Sequence, residues 1–248
     1  MGLFRKTPEE KFDKAAAASS GNKMLKLAES GMQKAMVNVA YRYHNGFGFK
    51  ANDKSALFWA NKASDENLFG KTTDTIEAYY TKGNILRDLG DISAAEECYK
   101  KAYVIGKEIE KASYYQECVG LALASLYIEN NKNYEEAKSI LKELTDKKNQ
   151  EAQWELAKFC YYKEGSIIPA LSSYVDIRDN RNIDVFDDII FDTEDIINDF
   201  IGRMNKINPD EVSLKNIEEI EALEKFFENA DWDEFVKVQV TAIKEKLC

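Results

Sequence analysis

The feature that most constrains this chain is a spacing that recurs four times between residues 35 and 177. A small residue is followed by a turn, by a second small residue 12 to 16 positions on, and by a further small or apolar residue seven beyond that. The copies read Ala40, Asn45-Gly46, Ala56, Ala63; then Gly83, Gly90-Asp91, Ala95, Ala102; then Ala124, Asn130-Asn131, Ala137, Leu144; then Ala157, Gly165, Ala170, Ile177. Residues seven apart share one face of a helix, and small residues there let two helices approach closely. One helix pair cannot bury its apolar face alone, so four copies imply a stacked array.

Composition agrees. Twelve glycines and three prolines in 248 residues are too few for the turns of a β-rich chain, so an all-α protein is expected. Gly46 is expected to stop the first helix of its pair and Asp53 to cap the second. Gly83, mid-helix, costs about 1 kcal/mol against alanine, which marks a close helix contact. Pro169 is expected in the first turn of its helix, where its missing N–H is harmless. Residues 8–30 are expected to add one or two helices. Residues 184–248 are expected to add three or four, at 186–190, 196–204, 214–227 and 232–247, with Pro209 and Asp231 at the breaks. The organisation expected is therefore N-terminal capping helices over 1–30, about four helix pairs over 31–182, and an acidic helical cap or degenerate repeats over 183–248.

Residues 35–63 resemble a SEL-like repeat through the loop glycines Gly46 and Gly48, Lys54-Ser55-Ala56, Trp59 and Lys62-Ala63. Residues 26–35 are similar to the junction between such repeats. Residues 76–103 resemble a tetratricopeptide repeat, with Tyr79, Gly83, Gly90, Ala95, Tyr99 and Ala102 on pattern. The third and fourth copies match more loosely, and the resemblance covers roughly residues 22–180. It implies an α-α superhelix (solenoid) of stacked antiparallel helix pairs, here with a helical C-terminal cap, whose concave face holds a segment of another protein. Four positions of each first helix then point inward. They are Lys34, Val37, Tyr41 and His44; Glu77, Tyr80, Asn84 and Arg87; Cys118, Leu121, Ser125 and Ile128; and Glu151, Trp154, Lys158 and Tyr161. Of these, Lys34, Tyr41, His44, Tyr80, Asn84, Arg87, Ser125, Trp154, Lys158 and Tyr161 form the expected partner-binding groove. Rigid aromatics anchor binding energy, and basic side chains take carboxylates or carbonyls. The competing reading for each aromatic is packing between neighbouring helices.

Catalytic chemistry is not expected. His44 is the only histidine, and the zinc-protease, serine-hydrolase and phosphate-loop motifs are missing. No cofactor or metal is expected either. Asp187, Asp188, Asp192, Glu194 and Asp195 lack the glycine and closing glutamate of a calcium loop and read as a solvated helix face. Four dispersed cysteines and the lack of a signal-like N-terminus or long apolar run point to a reduced, cytoplasmic protein away from membranes.

The net charge of −10 is uneven: residues 183–248 hold 18 acids and 7 bases, against 26 acids and 27 bases in residues 1–182. An acidic third repels nucleic acid. The expected function is an adaptor that binds a protein or peptide segment, as monomer or homodimer. The alternative is an acidic neutralising (immunity-like) or chaperone protein for a basic toxin or secreted effector.

Overall fold

The computed structural model describes residues 8–17, 21–109, 113–180, 183–230, 232 and 234–247. Among them every regular element is a helix, and most helices pack on a neighbour in sequence, so the chain is an all-α helical repeat as the sequence implies. Two compact units divide it, residues 1–137 and 138–248.

The first unit opens with α1 (Pro8–Ala17) and α2 (Gly21–Glu29). The first repeat pair follows as α3 (Gln33–Asn45) and α4 (Asp53–Ala63). Gly46 ends α3 in the left-handed region, at φ 74°, and returns its N–H to the Arg42 carbonyl. The cap of α4 is Asn52, whose side chain accepts from the Ser55 N–H, and not Asp53, which stands one residue inside the helix. Two adjacent residues could each cap, and the choice falls to the one held extended by its own N–H bond to the Tyr43 carbonyl at 2.8 Å.

A short helix that the sequence reading missed, α5 (Glu66–Phe69), leads to α6 (Thr73–Asp88), α7 (Ile92–Glu108) and α8 (Ser113–Glu129). The junction is polar and buried: Gln33 Nε2 donates to the Ala63 carbonyl at 2.8 Å and to Thr75 Oγ1 at 2.9 Å. Gly83 does mark a close approach, because the Tyr99 ring of α7 occupies the space a side chain would need. Met24, Ala35, Met36, Val39, Ala40, Ala56, Ala60 and Ala63 form a shared core under the first helices, so the alanines of the repeat pattern are its contact points.

The division between units falls within α9 (Tyr134–Asp146). The second unit contains α10 (Gln150–Glu164) and α11 (Ile168–Asn180). It continues with α12 (Ile183–Asn205), a 3-10 turn at Pro209–Glu211, α13 (Leu214–Asn229) and α14 (Glu234–Leu247). Pro169 lies in the first turn of α11, as expected. The two helices expected at 186–190 and 196–204 are instead one helix of 23 residues. The acidic stretch between them carries no helix breaker, and Thr193 stays in the helix by donating to the Ile189 carbonyl at 2.6 Å. Asp231 lies outside the described residues. One core runs from Trp154 and Ala157 of α10 through Ile196, Ile197 and Phe200 of α12 to Leu223, Phe227 and Ile243, so residues 138–180 and 183–247 share it. Among the described residues no helix is long and apolar enough to cross a membrane.

Candidate functional site

In the first unit, α3, α6 and α8 leave a concavity of about 450 Å3. It gathers seven of the expected inward positions: Tyr41 and His44 from α3; Glu77, Tyr80, Asn84 and Arg87 from α6; and Cys118 from α8. Helical register explains the grouping, since residues 77, 80, 84, 87 and 88 recur at three to four positions on one face of α6.

Not all the expected residues reach it. Val37 is buried in the core, Lys34 is exposed with its ammonium 4.8 Å from the Phe12 ring, and Ser125 is half-buried outside the lining. Six lining residues were missed: Asn45, Thr81, Ile85, Asp88, Tyr114 and Tyr115. Tyr114 could have been found, because it precedes Cys118 by four residues and extends the same face one turn back to the start of α8.

Most charged groups on this face are already matched. His44 Nδ1 stands 2.9 Å from Asp53 Oδ1 and its Nε2 3.0 Å from Asp88 Oδ2. Two carboxylate acceptors call for two N–H donors, which only the imidazolium supplies. Burial pushes the His44 pKa down, but the hydrogen bonds and charges of Asp88 and Asp53 outweigh it and leave the value above 6.5. The Arg87 guanidinium pairs with Asp88 at 3.4 Å.

Glu77 differs. Its carboxyl is pushed above the usual carboxylate range by burial, against the opposing effect of one Tyr115 O–H donated at 3.1 Å. Burial and that carboxylate together push Tyr115 up to about 12. Asn84 Oδ1 accepts the Tyr99 hydroxyl at 2.6 Å, so this side chain packs the helix pair and lines the concavity at once. Tyr41 and Tyr114 are the exposed aromatics, at 50% and 73%.

In the second unit the corresponding face of α10 is filled by α12. Trp154 and Tyr161 are buried there, with the indole N–H donating to Asp192 at 3.0 Å and the phenol to Asp199 at 2.5 Å. Lys158 pairs with Glu155 at 2.7 Å and stands 3.4 Å from Asp192, while the Arg203 guanidinium sits 4.5 Å from the Tyr161 ring. These three groove residues are therefore packing residues of the α10–α12 contact. Asp192 of the expected solvated cluster is engaged here too, and the side chains of Asp187 and Asp188 lie outside the described residues.

Comparison with known proteins finds repeats of two kinds. The tetratricopeptide repeat family matches residues 76–103, and the Sel1 repeat family matches residues 33–68 and 150–170. The matched stretches are thus similar to Sel1 and tetratricopeptide repeats; such repeats typically bind other proteins and are generally non-enzymatic scaffolds. No curated protein sequence matches it. Among solved structures it is similar to an immunity protein, Pa5087, from Pseudomonas aeruginosa. The identity there is 18% and the TM-score 0.45, with 100% of this chain and 84% of that one covered. It is also similar to c5321, a protective antigen of uropathogenic Escherichia coli strains displaying an SLR fold. That match has 17% identity and a TM-score of 0.29, over 92% of this chain and 52% of that one. At TM-scores below 0.5 neither fixes a function for this chain.

Proposed function

We propose that this chain is a non-catalytic adaptor that binds a segment of another protein in the concavity of α3, α6 and α8. The observation that carries the reading is the aromatic surface left open there. Tyr41, Tyr80, Tyr114 and Tyr115 line it from three helices, and among the described residues no element of the chain fills it. The inward face of α10, by contrast, is filled by α12 through Trp154 and Tyr161. That contact is an internal example of what such a face accepts: a helix held by aromatic rings whose polar edges are hydrogen-bonded. Residues 77 to 88 of α6 span roughly 16 Å, enough for about three turns of a bound helix.

The test is affinity capture from the source cells with the wild type and a Tyr80→Ala, Tyr114→Ala double variant, its helicity checked by circular dichroism. A protein retained by the wild type and lost by the variant supports the assignment. Equal retention removes this face from consideration.

A neutralising or chaperoning role for a basic partner is a second reading, favoured by exposed acids on α12 and α13: Glu194, Asp195, Glu218, Glu221 and Glu228. Because residues 183–247 supply core side chains, deletion would unfold the unit; replacing those five acids with their amides is the cleaner probe. Loss of a salt-sensitive partner with Tyr80 and Tyr114 intact would favour this second reading.

A further inference from the structure

Resting on the reading of the α3–α6–α8 concavity as a partner-binding face, we propose that this face takes a cationic side chain, arginine or lysine, of the bound segment. The cation sits between the rings of Tyr80 and Tyr114 and pairs with the Glu77 carboxylate.

His44 is held by Asp53 and Asp88, and Arg87 by Asp88, so the cations at that end of the concavity already have carboxylates. At the other end Glu77 accepts only the Tyr115 hydroxyl, and among the described residues no ion pair reaches it. Lys34, the basic side chain whose charge acts on Glu77, is directed onto the Phe12 ring instead. A half-buried carboxylate with one neutral donor is poorly compensated, and burial accordingly raises its pKa. A cation placed beside it would reverse that cost.

The walls suit a cation as well. Tyr80, Tyr114 and Tyr115 surround Glu77 closely enough that its charge acts on both α8 tyrosines. Tyrosine ring faces attract ammonium and guanidinium groups, most strongly where water is partly excluded. An acidic side chain would meet Glu77 and Asp88 with like charge, and an apolar one would seal Glu77 in without a partner. The volume of about 450 Å3 is in the range of small-ligand sites, ample for one long side chain.

The test is an NMR titration of the full chain at fixed ionic strength with four probes: N-acetyl-arginine amide, N-acetyl-lysine amide, N-acetyl-leucine amide and N-acetyl-citrulline amide, the neutral isostere of the arginine probe. The expected result is saturable shifts in α6 and α8 with a cationic probe, at least about tenfold tighter than with citrulline. Glu77→Gln, which keeps the side-chain volume and an acceptor for Tyr115, should abolish that preference. If the leucine or citrulline probe binds the concavity as tightly as the cations, or if Glu77→Gln keeps the preference, the cation claim is overturned while the partner-binding face stands. If no probe shifts the concavity, both are overturned.

Discussion

Replacing Gly83 with alanine probes the packing that positions the candidate face. A Cβ at this position would stand 2.5 Å from Cε1 and 2.7 Å from Cδ1 of Tyr99, well inside van der Waals contact. The ring cannot easily yield, since Tyr99 is fully buried and its hydroxyl donates to Asn84 at 2.6 Å. Overpacking of this kind costs about 1–3 kcal/mol. Straining the Tyr99–Asn84 bond adds about 1 kcal/mol, and the better helix propensity of alanine returns about 1 kcal/mol. The net is a destabilisation of about 2 kcal/mol, or roughly 4–8 °C in melting temperature for a unit of this size.

Urea unfolding followed by circular dichroism reads this as a lower midpoint at constant slope. Gly202→Ala is the matched control: this glycine is also helical, in α12, but nothing lies within 4 Å of its would-be Cβ. There alanine should stabilise by about 0.5–1 kcal/mol. A Gly83→Ala protein as stable as the wild type would refute the claim that Gly83 is required by the Tyr99 contact.

Substitutions at four other positions test neighbouring contacts. His44 has a folded pKa above 6.5, so its contribution is fully present below that pH and is lost as pH rises through the folded value. The stability advantage of the wild type over His44→Gln should shrink as the pH rises above about 6.5, and an advantage that grows with pH would contradict the Asp53–His44–Asp88 bridge. Trp154→Phe, which removes the N–H bond to Asp192, should cost about 1 kcal/mol. Trp154→Ala should cost about 3–5 kcal/mol, and an unfolding curve unchanged by alanine would mean that α12 does not pack on this residue. Asn52→Ala should cost about 1 kcal/mol by uncapping α4. Asp53→Ala should instead lower the His44 pKa in an NMR titration, and no change there would exclude the pairing.

The helix pairs were legible because their punctuation is local. Gly46 and Gly165 end helices with positive φ, Asp91 of the expected Gly90-Asp91 turn caps α7, and Gly83 marks its own contact. The α6 part of the concavity was legible through the tetratricopeptide resemblance, whose inward positions put Glu77, Tyr80, Asn84 and Arg87 on one helix face.

What failed depends on distant partners. Asp192 and Asp199 lie seven apart on α12 and bond to Trp154 and Tyr161, so an acidic stretch expected as a solvated helix face takes part in an interhelical contact. Likewise nothing near residues 154–161 announces that their inward face is covered by residues 38 positions further on. Trp154 and Tyr161 have the residue types of binding anchors, and their burial is decided by a helix the local pattern does not contain.

Site-specific photocrosslinking in the source cells asks whether the α3–α6–α8 concavity meets the partner. A photoreactive phenylalanine analogue would be placed at Tyr114, 73% exposed at the rim, and separately at Val238, 60% exposed on α14. Position 114 should give a discrete crosslinked protein, competed by the wild-type chain, and position 238 none. A crosslink at 238 with none at 114 would contradict it and move the binding surface to the second unit.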